Sequence, residues 1–124
     1  MGRPLTYAAT SPSLCVLEKL VHIEDPDLLP TLAIVVYDLS DDVPVSRLTL
    51  TELPQDWRGR EAETQRIGDA WLASDQGALL YVPSAIVPIA DSPDFNVIVN
   101  HRHPASAAIT IERVEVFDLD VRLL

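Results

Sequence analysis

The sequence predicts an α+β fold: a bent mixed sheet with a few helices, in a single domain over residues 1–124. Three observations predict it. Strand-like and helix-like segments follow one another without the regular repetition of βαβ units. The 124 residues, 48% of them hydrophobic, are enough for one domain with a real core. The segment AAITIERVEVFDL alternates in two registers, Ile109 with Ile111 and then Val114 with Val116, so a bulge or bend is expected at Glu112–Arg113.

The elements follow in order. LTYAA, Leu5 to Ala9, is a short strand with apolar and aromatic side chains. SPSLCVLEKLVHIE opens with helix grammar: Ser11 at the N-cap and Pro12 at the first helical position. At 100° per residue Leu14, Leu17, Leu20 and Val21 share one apolar face, with Glu18 at its border beside Leu14. The acidic, proline-bearing EDPDLLP ends that helix. TLAIVVYDL, Thr31 to Leu39, is apolar on both alternating faces and is expected to be a central strand. A second helix is expected from Glu61 to Ser74, with Ile67, Ala70 and Trp71 as its buried stripe and Gly77 as its C-cap. ALLYVP and FNVIVN are further buried strands.

Composition excludes several functions. Nine lysines and arginines are scattered and the formal net charge is −10, so direct nucleic-acid binding is not expected. The same acidity suits either plain solubility or a basic protein partner. No apolar run approaches the roughly 18 residues of a membrane span. The start MGRPLTYAAT lacks the apolar stretch of a secretory signal. Gly2 and Thr6 have myristoylation spacing, but Pro4 and an immediate strand leave no free arm. The single cysteine, Cys15, rules out an internal disulfide and fits a reduced core thiol in a cytoplasmic protein.

The candidate chemistry is sparse. In LLYVPSAIVP, Ser84 has no glycine beside it, so it cannot sit in a nucleophile elbow. Pro83 must end or kink the strand there. Ser84 then either satisfies its own turn or projects from a rigid backbone. Glu18 is either a helix-border residue paired with Lys19 or His22, or a half-desolvated carboxylate beside an apolar pocket, able to stabilise positive charge on a sugar. Tyr7 stands mid-strand, where the small neighbours Ala8 and Ala9 leave room against its ring. Asn96 and Asn100 frame one strand with amides of the kind that read nucleotide edges. Arg102 and His103, in NHRHP, are candidate anion contacts. Two histidines two residues apart lack a third ligand, so no metal is expected. GxGxxG, P-loop, CxxC and HExxH signatures are absent.

GRPLTYAATSPSLCVLEKLVHIE, LPQDW, RIGDAWL, LLYVPSAIVP, NVIVNHRHP and FDLDVRLL occur in this order over essentially the whole chain. Together they resemble a RES-domain protein, the toxin half of bacterial Xre–RES toxin–antitoxin pairs. The resemblance implies an ADP-ribosyltransferase-like fold that binds NAD as substrate and cleaves its nicotinamide–ribose bond. It implies catalytic roles for Glu18 in LEKLVH, Ser84 in VPSA and Tyr7, with Asn96, Asn100, Arg102 and His103 as substrate-binding candidates. The partner implied is an Xre-type DNA-binding antitoxin. The chain departs from the family at His101, where a proline is usual. It also departs at the N-terminus: the family's arginine belongs to a segment with a first strand that has no counterpart here, and Arg3 does not match it. An unpaired sheet edge left in that strand's place predicts a homodimer within a larger complex. The alternative reading is a non-catalytic, antitoxin-binding fragment of the same fold.

Overall fold

The computed structural model describes residues 5–21, 31–120 and 122. The continuation of the first helix through His22, and Arg3, lie outside the described residues. The elements are β1 (Leu5–Ala9), α1 (Pro12–Leu20), β2 (Thr31–Leu39), β3 (Val45–Arg47), α2 (Glu61–Ser74), β4 (Leu79–Pro83), β5 (Phe95–Asn100) and β6 (Ile109–Asp118), with short 3-10 turns between several of them. The class is α+β with a mixed sheet, as the sequence predicts.

The strands divide into two sheets. Four form the order β1-β5-β4-β3, in which β5 lies antiparallel to both β1 and β4 while β3 runs parallel to β4. The other two, β2 and β6, form an antiparallel ribbon. This corrects the expectation for β2. Its continuous apolar run is not that of a central strand, since every second residue from Thr31 to Leu39 is exposed and its described partner is β6 alone. The bend expected in β6 is present: Val36 pairs with Arg113 and Tyr37 with Ile111, which leaves Glu112 as the extra residue of a bulge.

Both faces of the four-stranded sheet are covered, which is why β4 and β5 read as unbroken apolar runs. On one face Val43, Ala78, Leu79, Val97 and Val99 form a buried cluster joined by Tyr81, Ala105 and Ile109. On the other, Trp71 and Leu72 of α2 pack against Leu80, with Leu48, Val82 and Ile98 around them. The α2 stripe is thus Trp71 and Leu72, flanked by half-buried Ile67, and Ala70 faces solvent. Helix α2 ends on Asp75, whose φ of 51° is left-handed, instead of on Gly77. Aspartate tolerates that region through its short polar side chain. At Gly77 the constraint is space: a Cβ there would lie 3.1 Å from Ser46 Oγ, closer than ordinary contact.

Helix α1 begins as expected, with Ser11 Oγ accepting from Leu14 N at 3.2 Å and Pro12 following. Of its apolar residues only Leu14 is buried, while Leu17 and Val21 are exposed. The helix is held chiefly by its start. Thr10 N donates to Phe95 O, Phe95 N donates to Thr10 Oγ1 at 2.9 Å, and Ser11 Oγ donates to Asp94 Oδ1 at 3.1 Å. These bonds tie the helix entrance to the start of β5. Among the described residues no helix is long and apolar enough to cross a membrane.

Candidate functional site

The anchored start of α1 points its second turn along the β5 side of the sheet, so that Glu18 comes over Asn96. Asn96 Nδ2 donates to Glu18 Oε1 at 2.8 Å. From the other side Ser84 Oγ donates to the same oxygen at 2.9 Å. Three segments 66 and 78 residues apart in sequence thus converge on one carboxylate oxygen. Glu18 Oε2 accepts no hydrogen bond from the described residues. The side chain is half-buried and its orientation is set by two donors.

Ser84 owes its place to Pro83. β4 ends at that proline, two residues past the last partner that β3 supplies at Tyr81. The chain then turns, and Ser84 Oγ accepts from Ile86 N at 3.1 Å and from Val87 N at 3.4 Å. The hydroxyl therefore has both lone pairs on its own turn and its single proton on Glu18. Ser84 is 1% exposed. Ser84 therefore lies behind Glu18 and holds its carboxylate, and is not among the residues lining either cavity beside it. Of the two readings open in the sequence, the turn serine is present in its bonds to Ile86 N and Val87 N, and the same oxygen also donates to Glu18.

Tyr7 is 75% exposed and stands at the meeting of several hollows. A cavity of about 310 Å³ lies between β1, β4, β5 and α2, with Tyr7, Glu18, Asn96 and Trp57 in its wall over an apolar floor of Leu80, Val82 and Ile98. A second, of about 620 Å³, shares Tyr7, Glu18 and Asn96 and extends past Ala8 and Ala9 to Cys15 and Lys19. The small alanines beside Tyr7 do leave space against its ring. Burial pushes the Cys15 thiol up from its ordinary range; a backbone hydrogen bond at Ala9 opposes this and the charge of Glu18 adds to it. Cys15 is free and lines the larger of these two hollows.

The remaining candidates do not join this site. Asn100 ends β5 four residues beyond Asn96, about 13 Å along the strand. It is fully buried, with Nδ2 donating to Asp75 Oδ1 at 3.1 Å and Oδ1 accepting from Arg102 N at 3.1 Å. It stitches the end of β5 to the end of α2. Arg102 is exposed in the following turn, and His103 Nδ1 accepts from Ala105 N to cap the next 3-10 turn. None of these three positions lines the cavities beside Glu18, because the strand carries Asn100 and the turn after it away from Asn96. Among the described residues no group of three histidine, cysteine or acidic side chains could hold a metal ion.

Sequence reasoning assigned no role to Trp57 in LPQDW or to the α2 residues Thr64 and Asp69, all of which line the smaller cavity. The signal for Trp57 was present, since LPQDW is one of the motifs that carry the resemblance. Thr64 and Asp69 gave none, because polar residues on a helix otherwise read as a solvated face.

Comparison with known proteins adds to this geometry. The family model described as RES domain matches residues 1–122. A protein named Toxin Res from Pseudomonas putida is 40% identical over 124 residues, covering 98% of this chain and 81% of the relative. Another Toxin Res, from Photorhabdus laumondii, is 36% identical over 126 residues, covering 100% of this chain and 78% of the relative. A protein named Prs ADP-ribosylating toxin, from a Sphingobium species, is 32% identical over 128 residues, covering 100% of this chain and 77% of that protein.

Proposed function

The chain belongs to the RES domain family, and from that premise we propose that it is the toxin of a toxin–antitoxin pair, acting on NAD in the bacterial cytoplasm by cleaving the nicotinamide–ribose bond. The observation that carries this reading is the carboxylate of Glu18, with Oε1 held by Ser84 and Asn96, in a groove with an aromatic rim. The α+β architecture agrees with the ADP-ribosyltransferase-like fold that the family carries, and similarity to proteins named as toxins, one of them ADP-ribosylating, supports the reaction class.

The chemistry asks little of the protein beyond placement and charge. The bond between ribose C1′ and the pyridinium nitrogen breaks, and its electron pair stays with nitrogen, giving neutral nicotinamide. Positive charge develops over C1′ and the ring oxygen of the ribose. A fixed carboxylate beside those atoms stabilises that charge more than it stabilises the ground state. The acceptor, whether water, phosphate or a protein side chain, then forms a bond to C1′ and loses its proton to solvent. Tyr7 and Trp57 supply flat apolar surface for the leaving ring. The antitoxin partner is a basic surface complementary to a chain of net charge −10, seated over the open groove.

The test is nicotinamide release from NAD by the purified chain, followed chromatographically. Release is expected, and its absence even at high protein concentration would favour the second reading, a fold that binds the antitoxin without turnover. That second reading draws on one observation: no arginine is among the described residues lining either cavity around Glu18.

Ser84→Ala is expected to lower kcat about tenfold with KM little changed, the scale of one hydrogen bond to a charged group. It should also lose roughly 1 kcal/mol of stability, because Ile86 N and Val87 N lose their acceptor. Steady-state kinetics beside thermal unfolding separates the two effects. A folded Ser84→Ala protein with unchanged kcat would remove Ser84 from the site.

A further inference from the structure

The groove continues past the two cavities that hold Glu18. A third hollow, of about 530 Å³, lies between α1 and the β2–β6 ribbon, with Tyr7, Lys19, Thr31, Tyr37 and Phe117 among its lining. Tyr7 borders all three hollows, and the middle one shares Glu18 with the first and Lys19 with the third. The three are therefore successive parts of one groove, crossing from α2 to the ribbon under α1.

Lys19 is the one lysine or arginine among the described residues that line these hollows. It makes no ion pair with another described residue, whereas Arg60, Arg66, Arg113 and Arg122 each face a carboxylate. On a chain of net charge −10 an anionic ligand is repelled by the bulk of the surface, so it needs a local cation. A lysine in the last turn of a helix suits the helix dipole wherever it points. That does not account for one lying at the junction of the middle and ribbon-side hollows, next in sequence to the carboxylate that lines the middle hollow and the one beside α2.

We propose that Lys19 holds the diphosphate of the dinucleotide, so that the ribbon-side hollow beside Tyr37 and Phe117 takes the adenosine half. The proposal rests on the NAD-cleaving reading of Glu18. The order of groups agrees with the chemistry of the ligand. One ribose separates the glycosidic carbon from the phosphates, and Glu18 and Lys19, consecutive on α1, diverge by about 100° around the helix axis. Glu18 turns toward Ser84 and Asn96, and Lys19 toward the ribbon. An aromatic base then meets aromatic side chains at each end, Trp57 at one and Tyr37 with Phe117 at the other.

ADP-ribose, which carries the diphosphate and adenosine but no nicotinamide, is the probe. Titrated calorimetrically into the full chain, it is expected to bind, and Lys19→Gln to weaken it about tenfold, the scale of one charge-assisted phosphate contact. Lys19→Arg should recover most of the affinity, and added salt should weaken the wild-type protein more than Lys19→Gln. Equal affinity in wild type and Lys19→Gln, or no binding to the wild type, overturns the proposal. Nicotinamide release, measured separately, reports on the catalytic reading: Lys19-dependent ADP-ribose binding without nicotinamide release leaves the diphosphate site standing and removes the cleavage. Where release occurs, Lys19→Gln should raise KM for NAD and leave kcat and the KM for nicotinamide riboside, which has no phosphate, unchanged.

Discussion

Glu18→Gln is expected to lower the rate of nicotinamide release by about 10²–10³-fold, the usual cost of removing one preorganised electrostatic contact to a developing charge. The substitution is nearly isosteric. The amide oxygen can still accept from Ser84 and Asn96, so the local fold and the groove persist while the negative charge disappears. Binding of the intact dinucleotide should change less than the rate, because in the ground state the positive charge is spread over the pyridinium ring and reaches C1′ and the ribose oxygen only as the bond breaks. The effect belongs in kcat. Measured release in Glu18→Gln near the wild-type rate would mean that the carboxylate does not face the reacting bond, and would remove Glu18 from the catalytic site. Glu18→Ala would be a poorer test, since it leaves the Ser84 hydroxyl and the Asn96 amide without their acceptor and mixes stability with chemistry.

Asn100→Ala should act on the other axis. Asn100 is 0% exposed and bridges Asp75 Oδ1 and Arg102 N, at the end of β5 remote from Glu18. Deleting the amide removes one donor to Asp75 Oδ1 and the side-chain acceptor of Arg102 N, and opens a small void at a fully buried position. A loss of about 2 kcal/mol is expected, read as a fall of roughly 6–10 °C in Tm. kcat/KM per folded molecule should not change. A variant with unaltered Tm and weakened NAD turnover would reverse this and place Asn100 in the substrate site after all. Asn96 and Asn100 carry the same side chain on the same strand, and the difference between them is only where the strand takes each one.

That pair shows what could be read beforehand. Both asparagines looked equally suited to a nucleotide, because amide chemistry is a property of the residue. Which one meets Glu18 depends on the hydrogen bonds from Thr10 and Ser11 to Phe95 and Asp94, contacts more than 80 residues apart in the chain. Ser84 is similar. Its turn is local, and Pro83 announced it. Its bond to Glu18 spans 66 residues, and only the resemblance brought the two together in advance. In the sequence Lys19 reads only as a possible partner for Glu18. The structure separates the two side chains, because neighbours on a helix point apart.

What the sequence determined by itself is the set of features whose physics is local. The N-cap of Ser11 with Pro12, the span of α2 from Glu61 to Ser74, the end of β4 at Pro83 and the bulge at Glu112 all follow from backbone preferences and side-chain period. The motifs in their order, a property of the sequence alone, also identified the family. Tertiary structure alone decided how the strands divide between a covered sheet and an exposed ribbon, which apolar residues of α1 are buried, and which end of β5 faces Glu18. An apolar strand has the same pattern whether its neighbours cover it or not, since burial is a property of what packs against a segment and not of the segment itself.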